Sequence, residues 1–250
     1  MIKKYSKYII LLFGLFVVMN PIHSQVKQSH SIVLGFLQLK EQSNLGMVFN
    51  GVQLEYRYGL QWQINDHEIM YQPKLGIGVG FNHGLIAAQI HIAPVNVTWA
   101  MPLYEQNGHT IKVGTNFITD YNYQVYVDFH HTNLFWTTEI GLSPVFRYSY
   151  QWDNKRISTN WQNSLFGFTS HCQGYDPHFR STYPKDFFVK PYENMKFGSF
   201  NDYNHTNVSL EFVPNIFKMH SLVYEFDYLG FFSGMQFHRI NHNFLWRMSL

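Results

Sequence analysis

Residues 52–65 alternate without a break. Val52, Leu54, Tyr56, Tyr58, Leu60, Trp62 and Ile64 hold one parity; Gln53, Glu55, Arg57, Gly59, Gln61, Gln63 and Asn65 hold the other. A period of two gives a β-strand with two chemically opposite faces. The run is much longer than the usual strand of about 5–6 residues. A strand of this length, tilted by about 45°, crosses a hydrocarbon layer. Lipid offers no partner to an unpaired N–H or C=O, so strands cross it only when they close into a barrel.

The alternation recurs along the chain. Tyr71, Pro73, Leu75, Ile77, Val79 and Phe81 stand against Gln72, Lys74, Gly76, Gly78, Gly80 and Asn82. Over 134–153, Leu134, Trp136, Thr138, Ile140, Leu142, Pro144, Phe146, Tyr148, Tyr150 and Trp152 stand against Phe135, Thr137, Glu139, Gly141, Ser143, Val145, Arg147, Ser149, Gln151 and Asp153. In 85–103 the apolar parity runs through Ile86, Ala88, Ile90 and Ile92, then changes to Val95, Val97, Trp99, Met101 and Leu103. Pro94 at the change predicts a β-bulge. Weaker runs cover 31–41, 110–120, 156–169, 207–217 and 221–232.

Short polar connections at 65–68, 105–108, 153–156 and 218–220 alternate with longer ones near 41–47, 119–132, 170–206 and 231–238, with a tight turn at Asn82-His83-Gly84. Short periplasmic turns and longer external loops alternate in this way in outer-membrane barrels. The expected fold is therefore all-β: a transmembrane, antiparallel, up-and-down β-barrel of about ten strands with both ends in the periplasm. Eight strands follow if weak runs fail, and twelve if 186–200 forms another hairpin. A soluble sandwich or a lipocalin-like barrel also alternates; strand length and aromatics near the strand ends favour the membrane.

Composition agrees. Aromatic residues make up 18% of the 250 residues and charged residues 14%. The formal net charge of +2 gives no electrostatic case for nucleic acid. Lys3, Lys4 and Lys7 precede an apolar run from Tyr8 to Met19, the layout of a secretory signal peptide over residues 1–24 with cleavage after Ser24. The barrel is then expected over 25–250, with a long external loop at about 170–206. Cys172 is the single cysteine, so no intramolecular disulfide forms.

The C-terminal run Phe244, Trp246, Met248 and Leu250 resembles the recognition signal of bacterial outer-membrane barrels, with Leu250 where an aromatic is usual. With Ser24-Gln25 after the leader and the aromatic, Asn-rich strands, the chain resembles small barrels of the Bacteroidota type. The resemblance covers the mature chain in general pattern and brings no diagnostic family motif.

The inward parity collects Glu55, Arg57, Lys74, Lys112, Glu139, Arg147, Glu211, Glu225, Asp227 and Arg247, five acids and five bases. Balanced charge in a narrow barrel reads as an internal ion-pair network that fills the lumen. Gly76, Gly78 and Gly80 on the same face either leave space or relieve crowding. The expected role is non-enzymatic, either structural or binding a partner or ligand, with a narrow solute channel as an alternative.

The other alternative is an acyl hydrolase. Asp128-Phe-His130-His131-Thr132-Asn133 resembles the His-x-Ser-Asn element of outer-membrane lipid A deacylases and barrel phospholipases. The resemblance implies His130 as base and Thr132 in the nucleophile's place, with Glu139 or Asp128 orienting the base. A second His-Thr-Asn stands at 205–207. His171-Cys172-x-x-x-Asp176-x-His178 carries metal-ligand residue types at a spacing that matches no signature, so no metal or cofactor is expected. The expected partners are outer-membrane lipid and lipopolysaccharide around the strands, with the aromatic 170–206 loop as the surface for an envelope protein.

Overall fold

The computed structural model describes residues 26–41, 46–126, 133–171, 189–192, 194–214, 219–232 and 236–249. Residues 1–25, which contain the expected leader, lie outside the described residues.

Thirteen strand segments form one antiparallel sheet: β1 (Lys27–Glu41), β2 (Val48–Ile64), β3 (His67–Tyr71), β4 (Lys74–Asn82), β5 (Leu85–Gln106), β6 (His109–Tyr126), β7 (Asn133–Trp152), β8 (Lys155–Asn163), β9 (Phe166–His171), β10 (Lys196–Ser199), β11 (Tyr203–Val213), β12 (His220–Phe231) and β13 (Phe237–Ser249). β3 and β4, β8 and β9, and β10 and β11 are halves of single staves, so the barrel has ten staves. β1 closes on β13 through a register running from Ser29↔Ser249 to Glu41↔Phe237. Closure removes both sheet edges and gives every stave two hydrogen-bonded neighbours, as a lipid-embedded sheet requires.

The two faces are inverted relative to a soluble protein. Leu34, Phe36, Leu54, Leu75, Ile77, Leu222 and Phe244 are exposed, while Gln53, Glu55, Arg57, Gln89, Asn122, Glu139 and Arg239 are buried. An exposed apolar belt of this extent would drive aggregation in water, and it is the surface that a bilayer covers. Near the short-turn end the belt finishes in outward-facing rings. His67 stacks on Trp99 at 5.5 Å, His109 on Tyr150 at 4.4 Å and His220 on Trp246 at 5.3 Å. Such rings have an apolar body and a polar edge, which suits the headgroup layer.

The parity change in β5 is a bulge. The β5–β6 register slips between Ile92↔Tyr121 and Val95↔Thr119. The Val95 amide freed by the slip donates to Thr119 Oγ1 at 3.2 Å. Facing it, Pro73 interrupts the stave between β3 and β4, because proline has no N–H to offer the ladder. A second irregularity, at Ser164–Leu165, was not legible in the sequence. It changes the parity: Ser164 stays inward with Ser158, and beyond it Gly167 and Thr169 face inward while Phe166 and Phe168 face outward.

Two stretches expected as loops are strand. β6 runs on through Tyr126, because Asp120, Asn122 and Gln124 continue the inward polar parity. In 170–206, residues 196–199 pair with β9, and β11 begins at Tyr203. The hairpins at His83-Gly84 and Asn107-Gly108 have positive φ at both central residues, the requirement of a two-residue type I′ turn.

Candidate functional site

Among the described residues, polar chemistry is concentrated in the lumen, which is built in three layers. The layer at the long-loop end is apolar. Leu37, Leu39, Phe49, Ala87, Tyr126, Phe135, Tyr203, Leu229, Phe231 and Phe237 form one buried cluster. Phe135 and Phe237 lie with ring centroids 5.2 Å apart, and Phe49 and Tyr126 at 5.1 Å. The lumenal glycines serve this packing. A Cβ on Gly78 would stand 2.9 Å from Leu37 Cδ2, and one on Gly80 3.1 Å from Phe49 Cβ. The space they vacate is filled by their neighbours.

The middle layer is charged and continuous. Arg57 donates to both oxygens of Glu225, at 2.6 and 2.8 Å, and its Nε also donates to Glu55. Glu55 meets His91 Nδ1 at 2.8 Å, and His91 Nε2 meets Asp120 at 3.0 Å. Arg239 lies 3.8 Å from Asp120 and 2.8 Å from Asp227, and also donates to Asn122. Asp227 meets His205 Nε2 at 2.8 Å, and His205 Nδ1 meets Glu139 at 2.6 Å. Ser164 donates to the other Glu139 oxygen at 2.8 Å, and Asn243 to Glu225 at 3.0 Å. The chain of contacts crosses the lumen from β2 through β5, β6, β13, β12 and β11 to β7.

Both nitrogens of His91 and of His205 face carboxylates. A ring that donates from both nitrogens is an imidazolium. With both rings charged, Glu55, Asp120, Glu139, Glu225 and Asp227 are matched in number by Arg57, Lys74, His91, His205 and Arg239. Such a layer tolerates burial only when its charges are paired and hydrogen-bonded together.

The third layer faces the short-turn end. Glu68 is shared by Lys112, at 2.8 Å, and Arg147. Glu211 is shared by Arg247 at 2.8 Å and Arg156 at 3.5 Å, and accepts from Ser221 at 2.7 Å. Between these clusters lies a cavity of about 220 Å³, with Lys74 and Arg57 on its inner wall and Lys27, Gln61 and Ser249 at its mouth. Ser29, Ser149, Ser158 and Ser209 leave the room for it.

All ten charged residues taken from the inward parity lie on this inner face. Glu55, Arg57, Lys74, Glu139, Glu225 and Asp227 belong to the middle layer; Lys112, Arg147, Glu211 and Arg247 belong to the third. Sequence reasoning missed Glu68, His91, Asp120, His205 and Arg239. The signal was present: stepping by two from Asn116 reaches Asp120, from Ser209 reaches His205, and from Arg247 reaches Arg239.

Asp128, His130 and Thr132 lie outside the described residues. Glu139, one of the two acids weighed as their orienter, is only 1% exposed and is bound by His205 and Ser164 inside the lumen. His205 of the second His-Thr-Asn has no nitrogen left to take a proton from a hydroxyl. Of the cysteine cluster only His171 is described, and no metal-ligating group of three occurs among the described residues.

No family model matches the sequence, and no curated protein matches it. Solved structures do. The outer membrane protease OmpT from Escherichia coli is similar over 92% of this chain and 97% of its own, with a TM-score of 0.54 and 8% identity. The fold is that of an outer-membrane β-barrel. The translocator domain of the autotransporter NalP from Neisseria meningitidis matches over 99% of this chain and 96% of its own, with a TM-score of 0.48 and 5% identity. At such identities the likeness concerns the fold alone. The apolar belt and closed sheet agree with it, and the barrel is an integral outer-membrane protein with a polar, filled middle.

Proposed function

We propose that the barrel is a closed, non-conducting element of the outer membrane, whose role is structural and binding. The carrying observation is the charged layer that runs from Glu225 through Arg57, Glu55, His91, Asp120, Arg239, Asp227 and His205 to Glu139. It stands in series with the apolar layer around Phe135 and Phe237. An ion crossing this lumen has to break buried, paired charges and then enter an apolar constriction. Lipid and lipopolysaccharide surround the belt. The described part of the 170–206 stretch outside its strands presents Tyr192 and Phe200 at its surface, which supports contact with an envelope protein there. The Bacteroidota-type lineage rests on the sequence resemblance.

Planar-bilayer recording on the purified, folded barrel tests the closed reading. The expected result is the absence of discrete current steps from single insertions. Reproducible steps in the unmodified protein overturn it in favour of a narrow channel.

A further inference from the structure

We propose that the cavity in the third layer is a binding site for a small, multiply charged oxyanion of the phosphate class, entered from the periplasmic end. Its lining holds seven cationic side chains, Lys27, Arg57, Lys74, Lys112, Arg147, Arg156 and Arg247, against three carboxylates, Glu68, Glu211 and Glu225. The carboxylates do not use up the donors. Each of Glu68 and Glu211 is shared between two cations. A guanidinium carries five N–H groups, and Arg247 Nε is buried with no hydrogen-bond partner among the described residues.

Lys74 points the same way. It lines the cavity and is 8% exposed; its charge acts on Glu55, Glu225 and Asp227 from a distance, but it makes no hydrogen bond or close ion pair among the described residues, so its donors are open. A buried ammonium beside an open cavity is favoured when an anion completes it. Arginine forks match tetrahedral oxyanions through paired N–H bonds. At about 220 Å³ the space is below the range of about 300–1,000 Å³ for drug-sized ligands, so the ligand is small. The continuous sheet walls the cavity off from the bilayer, which excludes lipid headgroups and leaves a free periplasmic solute.

That the ligand enters and leaves by one mouth rests on the closed reading; the site itself rests on its lining. The two fail separately: current steps overturn closure and leave the site standing, whereas absent binding overturns only the site. The test uses the full-length folded barrel in detergent, with inorganic pyrophosphate and orthophosphate titrated calorimetrically. Saturable binding at one site is expected, tighter for pyrophosphate, and weakened at least tenfold by Lys74→Gln. Arg156→Gln, at the mouth, weakens it several-fold and guards against a misfolded Lys74 variant. Lys40→Gln, an exposed lysine outside the lining, leaves it unchanged. Absent saturable binding, or equal affinity in the Lys74, Arg156 and Lys40 variants, overturns the proposal.

Discussion

Arg239 is where the charged layer is most exposed to a single change. Its side chain is completely buried, donates to Asp227 at 2.8 Å and to Asn122, and lies 3.8 Å from Asp120. In Arg239→Met the aliphatic stem is largely preserved and the charge is lost. Asp227 keeps His205 at 2.8 Å, and Asp120 keeps His91 at 3.0 Å. One net negative charge is therefore left in the layer, not two orphaned carboxylates. Removing one partner of a buried pair costs about 3–5 kcal/mol, and that is the expected loss. Asp227→Asn alone leaves Arg239 only Asn122 and the more distant Asp120, and costs a similar amount. The double variant removes both charges, so its loss should fall short of the sum of the singles by about 1–3 kcal/mol. The assay is urea unfolding from lipid vesicles followed by tryptophan fluorescence, read at constant slope. Arg156→Gln is the comparator; its pair with Glu211 is 3.5 Å long and the arginine side chain is 48% exposed, so a cost below about 1 kcal/mol is expected. A loss below about 1 kcal/mol for Arg239→Met, or strictly additive singles, refutes the coupled layer.

Three further outcomes follow from the same geometry. Leu54→Arg places a charge on the exposed apolar belt and should cost about 2–4 kcal/mol if the site lies near the bilayer midplane, measured in the same vesicle assay; no loss would remove Leu54 from the lipid face. Deleting Pro94 removes the extra residue of the β5 bulge, so that Ala93 and Asn96 stay inward and Val95 and Val97 outward in one continuous alternation; the heat-modifiable folded band on an unheated gel should persist, and its loss would contradict the bulge. Phe237→Ala and Arg239→Met should each remain silent in planar bilayers, since each leaves one closed layer intact, whereas the combined variant, if folded by the same gel criterion, should give current steps; steps from either single variant would show that the layers do not act in series.

What could be read from the chain, and what could not, divides along a physical line. A period of two fixes which face a residue occupies. That was enough to place Glu55 and Arg57 inward and Leu54 and Tyr56 outward, and a change of period marked the bulge at Pro94. Period says nothing of height along the barrel axis or of partners across the lumen. Height decides whether an inward residue belongs to the apolar layer or the charged one. Leu37, Leu39 and Phe49 share the inward parity of Gln53 and Glu55, yet they look like interruptions of a polar face until closure stacks them with Phe231 and Phe237 from the far end of the chain. Partners are set by stagger across staves remote in sequence. Glu139 and His205 are 66 positions apart, and Arg57 and Glu225 168. Equal numbers of acids and bases suggested a filled lumen, but the histidines were left out of that count because their charge depends on position. Only a ring set between two carboxylates, as His91 and His205 are, counts as a cation. With those two rings included the middle layer balances internally, and the excess positive charge is left at the short-turn mouth. A sum over the whole inner face conceals that asymmetry, and the asymmetry is what singles out the cavity, and not the strand-spanning network, as the proposed oxyanion site.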